Sequence, residues 1–400
     1  MSGMNSTPSG ERVHIGIFGR RNAGKSSIIN ALTGQSLAIV SDVRGTTTDP
    51  VQKAMELLPL GPVVMIDTPG LDDEGALGAL RIKKAYQMLN KCDIALLVVD
   101  ATVGFTEEDR RILRRIEDKR IPYVIVFNKS DLVSEEARGS VEVPDASHVM
   151  WVSSTERTNI NELKDLIATL PPQDDRSRRI VGDLLQPGDL AVLVVPIDKA
   201  APKGRLILPQ QQTIRDILEA DAVSVVVKEN GLKEVFSSLA TKPALVITDS
   251  QVFKRVAEET PADIPYTSFS ILFARYKGTL DSLVAGAHAL DALRDGDTVL
   301  ISEGCSHHRT CEDIGTVKLP NWIRAHTGKN LAFDFTSGTE FPMDLERYAL
   351  IVHCGGCMLN EREMKYRMKC AADAGVPMTN YGTAIAHMNG ILDKSLEVFR

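Results

Sequence analysis

The sequence predicts an α/β protein of three domains, and three observations carry that reading. Short apolar runs of strand length alternate with amphipathic helical spacing along the chain. The first run, Val13 to Phe18, passes directly into Gly19-Arg20-Arg21-Asn22-Ala23-Gly24-Lys25-Ser26, a glycine-rich loop that opens an apolar helix at Ser27-Ile28-Ile29. Towards the other end, two strand-like runs each lead into cysteines. Thr298 to Ser302 precedes Cys305-Ser306-His307, and Ala349 to His353 precedes Cys354-Gly355-Gly356-Cys357.

Length and composition set the frame. The 400 residues, 43% of them hydrophobic, suffice for two to three domains of roughly 150 residues each. Net charge is -7 with both signs interspersed, which argues against nucleic acid as the main partner. The longest apolar runs, such as Ile94 to Val99 and Leu190 to Pro196, fall far short of the ~20 residues that span a bilayer. Met1 to Arg12 is polar and lacks a signal-peptide core, so a cytoplasmic location is expected. There the six cysteines are thiols or ligands rather than disulfides. The first domain is expected over residues 1–172, ending near Leu170-Pro171-Pro172. A charged linker and a middle domain cover 173–264, and a third domain covers 265–400.

The first domain carries an ordered set of nucleotide motifs. In G-x-x-x-x-G-K-S, glycines let backbone N–H groups wrap phosphates, Lys25 brings a point charge to the outer phosphates, and Ser26 offers its hydroxyl to Mg2+. Gly19, Asn22, Ala23, Gly24, Lys25, Ser26 and Ser27 are the expected cradle. Asp67-Thr68-Pro69-Gly70 follows the strand Val63 to Ile66, placing a carboxylate where it can hold Mg2+ through water. Asn128-Lys129-Ser130-Asp131 follows the strand Tyr123 to Phe127. The Asp131 carboxylate can accept the guanine N1 and N2 protons, which adenine cannot supply, so GTP is the expected nucleotide. Ser153-Ser154 fits the loop that closes over the base, and Thr46-Thr47-Thr48 lies where a hydroxyl can reach Mg2+ when the terminal phosphate is present.

These residues resemble the translation-factor-like GTPases, in the potassium-activated branch related to the tRNA-modification GTPase. By that resemblance Thr47 is the Mg2+ ligand, Lys25, Thr47, Asp67 and Gly70 form the catalytic set, and Asn22 is a K+ ligand. Leu71 stands where Ras-like proteins place a water-orienting glutamine, which implies slow intrinsic turnover. A K+ ion between the phosphates would cancel part of the charge that an arginine finger otherwise meets. Asn22 also suits a plain turn.

The middle stretch alternates Leu190 to Val195, Gln212 to Glu219, Ala222 to Val227, Gly231 to Leu239 and Ala244 to Thr248, a small parallel βαβ pattern. It shows no catalytic constellation. Asp249 and Lys254 read as solvated charges, and an interface is the default role. The third stretch reads as a helix Ser282 to Leu293, a strand, the first cysteine motif, a long middle region, a second strand with the second motif, and two C-terminal helices.

Because both cysteine motifs follow strands, their thiolates are expected to emerge from neighbouring strand ends. Cys305, Cys354 and Cys357 are three soft ligands. An iron-sulfur cluster with one iron left open, a Cys3His zinc closed by His307 or His353, and a thiol redox pair all fit. The fourth position would fall to His307, His353 or Glu312, since Cys311 is a spare in a polar run, Cys370 belongs to a helix facing an apolar core, and Cys92 reads as an inert core thiol.

Cys-x-His followed after about 45 residues by His-Cys-x-x-Cys, behind a GTPase with Asn22 in its loop, resembles the FeFe-hydrogenase maturation GTPases of the HydF family. The resemblance implies an α/β chain with an N-terminal P-loop GTPase domain, a small βαβ dimerisation domain and a C-terminal α/β iron-sulfur cluster domain. It also implies a 4Fe-4S cluster, a carried di-iron precursor assembled with radical-SAM maturation proteins, delivery to apo FeFe-hydrogenase, and a homodimer. A redox-sensing GTPase, or an RNA- or ribosome-linked GTPase with a zinc appendage, is the competing reading, and the charge balance counts against the RNA variant.

Overall fold

The computed structural model describes residues 10, 12–34, 51–68, 88–139, 141, 148–170, 179–197, 206–304, 313–338, 340–342 and 344–400. The chain divides into two compact units, Met1–Asp175 and Arg176–Arg400.

The first unit is built on a six-stranded sheet of order β2-β3-β1-β4-β5-β6. Its strands are β1 Val13–Phe18, β2 Val51–Leu57, β3 Gly61–Asp67, β4 Ile94–Asp100, β5 Tyr123–Asn128 and β6 Val149–Trp151. β2 runs antiparallel to β3, and the other pairs are parallel. A parallel sheet must be covered on both faces, so its central strands read as near-continuous apolar runs. Ile94 to Val98 are accordingly fully buried. One apolar cluster joins the sheet to the helices Lys25–Thr33 and Ile160–Thr169, and another joins it to Glu107–Asp118. The carboxyl ends of β1, β3 and β5 lead into the loops that carry the motifs.

The second unit holds two four-stranded parallel sheets. One contains β7 Leu190–Val194, β8 Val223–Val227, β9 Leu245–Thr248 and β10 Tyr266–Ser268, in the order β10-β9-β7-β8. The other contains β11 Thr298–Ser302, β12 Ala332–Thr336, β13 Leu350–His353 and β14 Met378–Asn380, in the order β12-β11-β13-β14. Numbered within each sheet, both orders are 2-1-3-4. The agreement extends to single hydrogen bonds. A Gly-Asp pair opens each first strand, and the Asp189 and Asp297 carboxylates accept the N–H of Gln186 and Arg294 at the same 2.8 Å. Val223 N–H donates to the Asp189 carbonyl as Ala332 N–H does to Asp297, and Ala244 N–H donates to Leu190 as Ala349 N–H does to Thr298. Val246 and Ile351 N–H donate to Pro265 and Pro377, each just ahead of the last strand. Ser268 and Asn380 then cap the helices Phe269–Tyr276 and Tyr381–Met388. The unit is an internal duplication.

The two copies share their cores. Ala386 and Leu392 sit in one cluster with Val192 and Val246, while Cys357 and Phe399 pack against another built on Leu193 and Ile247. The boundary expected after residue 264 falls inside the middle sheet, because β10 pairs with β9 at Tyr266↔Val246. The expected helix Ser282 to Leu293 is an α-helix over Leu280–Ala287 followed by a 3-10 turn over His288–Ala292. β12 and β14 lie in stretches where no strand was expected. β14 is three residues long, too short to show a period. β12 is an edge strand in which Phe335 is 39% exposed, so its pattern is not that of a core strand.

Gly286 marks the tightest approach in this packing. A Cβ there would stand 1.9 Å from the Met378 carbonyl oxygen, a backbone atom that cannot step aside. Gly286→Ala is expected to destabilise the second unit by about 1–3 kcal/mol, read as a lowered midpoint in urea unfolding. An unchanged midpoint would show that helix and β14 separate freely.

Candidate functional site

The phosphate loop is a strand-to-helix turn held open by left-handed residues. Gly19 has φ 142°, Gly24 has φ 91° and Asn22 has φ 61°, conformations that glycine adopts freely and asparagine tolerates. A Cβ at Gly19 would lie 2.2 Å from the Val98 carbonyl, and one at Gly24 would lie 2.1 Å from Asn128 Nδ2. Lys25 Nζ donates to the carbonyls of Gly19 at 3.0 Å and Arg20 at 2.8 Å. Arg20 in turn lies 3.6 Å from the buried Asp109 carboxylate, which ties the loop to helix Glu107–Asp118. Ser26 Oγ donates to Asp67 Oδ2 at 2.9 Å, so the hydroxyl and carboxylate expected around Mg2+ converge. Burial raises the Asp67 pKa despite the Ser26 hydrogen bond and the Lys25 charge.

The base side is equally assembled. Asn128 Nδ2 donates to the Ala23 carbonyl at 3.1 Å, and its Oδ1 accepts the Ser154 N–H at 3.1 Å. The side chain thus pins the phosphate loop to the Ser153-Ser154 loop. Lys129 pairs with Asp100, Asp131 is exposed at the start of a 3-10 turn, and Ser153 is fully buried. The left-handed turn at Asn22 by itself accounts for an asparagine there. Thr47, Gly70 and Leu71 lie outside the described residues.

In the second unit, β11 and β13 are adjacent parallel strands with Ser302 opposite His353. Connections leave them in opposite directions, to β12 on one side and β14 on the other. That makes a switch point, the place where open α/β sheets generally form a ligand crevice, beyond the carboxyl ends of the strands. Both cysteine motifs follow those ends. Gly304 N–H donates to Cys354 Sγ at 3.0 Å, and Gly356 N–H lies 3.4 Å from the same sulfur. Burial raises the pKa of both thiols, and that of Cys357 is pushed up to about 11, opposed by the Lys277 charge. Cys305, His307, Cys311 and Glu312 lie outside the described residues.

His353 is fully buried and both its ring nitrogens are engaged. Arg367 Nη1 stands 3.0 Å from Nε2, and a guanidinium only donates. Nε2 is therefore the acceptor, and the proton sits on Nδ1, which donates to the Cys354 carbonyl at 2.7 Å. Burial and then the Arg367 charge lower the His353 pKa to about 3. His353 was expected among the metal ligands. As placed, it offers no lone pair to a metal and instead fixes the backbone of Cys354.

Sequence reasoning missed four side chains that shape this crevice. Arg367 is fully buried and also meets Glu363 Oε1 at 2.9 Å, Ser302 Oγ and the Gly338 carbonyl. Lys277, 4% exposed, donates to the Gly356 carbonyl at 2.6 Å and to that of Leu359. Glu303 follows β11 and accepts the Tyr381 hydroxyl at 3.1 Å. The Glu363/Arg367 spacing of four in one helix was a readable ion-pair signal. Lys277 and Tyr381 are remote in sequence and carried none.

Comparison with known proteins meets this geometry. A model described as the hydrogen maturase F dimerization domain matches residues 180–278, one for the hydrogen maturase F tetramerization domain matches 281–398, and one for a 50S ribosome-binding GTPase matches 14–129. The chain belongs to the hydrogen maturase F, or HydF, family. Its N-terminal unit is a GTPase domain, joined to the two maturase domains. The chain is 33% identical over 168 residues to GTPase Der of Kosmotoga olearia, covering 39% of this chain and 38% of that protein. It is 39% identical over 155 residues to the tRNA modification GTPase MnmE of Chromobacterium violaceum, covering 38% and 34%. The chain thus spans little more than a third of the length of these curated relatives. Among solved structures, Aquifex aeolicus Era bound to GDP.AlF4- is 20% identical, covering 54% of this chain and 92% of that one at a TM-score of 0.37. Among the described residues, no helix is long and apolar enough to cross a membrane.

Arg367→Met should cost about 3 kcal/mol or more, because it strands a buried carboxylate and an imidazole. Urea unfolding followed by circular dichroism reads this, and Arg367→Lys should recover only part of it, since one ammonium cannot replace the fork. Asp131→Asn should shift base preference from guanine towards xanthine, because an amide presents a donor where an acceptor is needed. A competition assay with unchanged GTP selectivity would remove the motif's assignment.

Proposed function

We propose that the chain is a GTP-hydrolysing scaffold and carrier. On this reading it holds a 4Fe-4S cluster, carries a di-iron precursor built with radical-SAM maturation proteins, and delivers that cargo to apo FeFe-hydrogenase. The observation that carries the cluster assignment is the Gly304 N–H on Cys354 Sγ. It brings the residue next to Cys305 against the C-x-x-C thiol across two neighbouring strand ends. The donor set fits a soft centre: two half-buried thiols, backbone N–H groups aimed at sulfur, and a buried cation, Lys277, beneath the loop. Cys305, Cys354 and Cys357 would hold the cluster. With His353 engaged elsewhere, His307 or Glu312 is left for the fourth position.

In the GTPase domain, Lys25 would exchange the Gly19 and Arg20 carbonyls for outer phosphate oxygens. Ser26 and Asp67, with Thr47, would hold Mg2+, Gly70 would close on the terminal phosphate, and Asn22 would complete a K+ site. These cations supply charge that meets the negative charge developing in phosphoryl transfer. A homodimer is part of this proposal. β8 is an edge strand with Val223 48% and Val226 43% exposed, and such an edge invites pairing with another chain.

A ribosome- or RNA-linked GTPase is the second reading, favoured by the match of residues 14–129 to the 50S ribosome-binding GTPases and by the MnmE relatives. A net charge of -7 argues against it.

Lys25→Ala should cut GTP turnover by roughly 10²-fold or more while iron content stays near normal. Serine at Cys305, Cys354 or Cys357 should strip most bound iron and leave turnover intact, because a hydroxyl replaces thiolate poorly at a soft centre. Anaerobic reconstitution with iron and sulfide, followed by mixing with apo FeFe-hydrogenase, tests the carrier step. Zinc in place of iron, with co-sedimentation on ribosomes, would transfer support to the second reading. Exchange of sodium for potassium should accelerate turnover in the native chain and not in Asn22→Ala.

A further inference from the structure

Away from the cysteines, four metal-type side chains converge on one face of the second unit. His288 and Asp291 belong to the 3-10 turn His288–Ala292, His326 to helix Leu319–Thr327 and His387 to helix Tyr381–Met388. The Asp291 carboxylate joins two of the imidazoles, with His326 Nε2 2.8 Å from Oδ1 and His387 Nε2 2.8 Å from Oδ2. His288 packs edge-on against His387 with ring centroids 4.8 Å apart. One ligand atom from each of His288, Asp291 and His387 lies within 4.8 Å of the other two. We propose that His288, Asp291, His326 and His387 form a binding site for a divalent ion of the zinc class.

The alternative is a hydrogen-bonded surface cluster. That would require Asp291 and two imidazoles, and the structure has three. His288 is in neither of the two bonds to Asp291, yet it stands where a third nitrogen ligand belongs. Three imidazoles and a carboxylate are a borderline donor set suited to Zn2+, with nickel and copper as competitors, and unsuited to Mg2+ or Ca2+. Zn–N and Zn–O bonds near 2.0–2.2 Å place tetrahedral ligand atoms roughly 3.3 Å apart, so side-chain rotations from the observed spacing would bring His288, Asp291 and His387 onto one ion, with His326 joining from the other carboxylate oxygen. The hydrogen bonds from His326 and then His387 hold the Asp291 carboxyl below its ordinary pKa, so the ligand is anionic at neutral pH. An ion here would clamp three segments that are far apart in sequence. It would be separate from the cysteine crevice, because His387 lies six residues along the helix from Tyr381, about 9 Å, and Tyr381 is the end that meets Glu303.

Anaerobic titration of the full-length chain with Co2+ alone tests the proposal, since nitrogen–oxygen and thiolate spheres differ in colour. The expected result is one equivalent with nitrogen–oxygen ligand-field bands, in addition to any thiolate charge-transfer band from the cysteine site; this equivalent should be retained in Cys357→Ser and lost in His387→Ala. His288→Ala leaves the two Asp291 hydrogen bonds in place and should still weaken binding at least about tenfold. Added Zn2+ should raise the thermal unfolding midpoint of the native chain and of Cys357→Ser, and not that of His387→Ala. A His288→Ala chain that binds like the native one, or cobalt that reports thiolate ligation alone, would overturn the site.

Discussion

The parallel pairing of β11 with β13 is the constraint on which the second unit depends. Cys305 and Cys354 are remote in sequence and follow different strands. Register brings Gly304, the residue before Cys305, against Cys354, and one residue of slip would turn every inward side chain outward. That register is specified from both faces. Leu300, Ile301, Ile351 and Val352 are fully buried, and Ser302 at the strand end reaches the same guanidinium as His353.

Two buried cations hold the walls. Burying a lysine or an arginine is costly unless its donors are met; Lys277 is met by carbonyls of the C-x-x-C loop, and Arg367 acts on that loop through His353, which holds the Cys354 carbonyl. Lys277 spans the Gly356 and Leu359 carbonyls from the helix end after β10. Arg367 connects His353, Ser302 and Glu363. The first belongs to the middle copy of the fold and the second to the last copy. The cysteine loop is therefore braced by both halves of the duplication, in keeping with their shared apolar clusters. Removal of the middle copy would leave the loop without its ammonium and Cys357 without part of its packing.

The sequence made the motif-bearing parts legible because their chemistry is local. Gly19 to Ser26, Asp67 and Asn128 to Asp131 each follow a strong apolar strand, and their convergence follows from parallel α/β topology. The rest was hidden for identifiable reasons. β14 is too short to show a period, and β12 is an edge strand with Asp334 at its centre. His353 looked like a ligand because it adjoins Cys354, and only its burial against Arg367 reverses that reading. The duplication did leave a trace, in Gly188-Asp189 and Gly296-Asp297, and in Pro265-Tyr266-Thr267-Ser268 against Pro377-Met378-Thr379-Asn380. It is faint because turns, caps and strand ends repeat while the residues between them do not.

That pattern of what repeats bears on how function is divided between the copies. Aligned on their hydrogen bonds, Asp249 of the middle copy occupies the position of Cys354, and Thr248 that of His353. Asp249 caps the turn after its strand by accepting the Gln251 N–H, an ordinary structural duty. Cys354 gives its side chain to the crevice, and its carbonyl is held by His353 instead. The same scaffold position thus holds a capping carboxylate in one copy and, in the other, a thiol that accepts backbone N–H groups. The middle copy has its own distinction in the valine-rich edge of β8. The corresponding edge, β12, has Asp334 at its centre, with Arg347 3.2 Å away, and charge on an edge strand resists pairing. The copy with the plain switch point keeps the adhesive edge, and the copy with the cysteines keeps the guarded one.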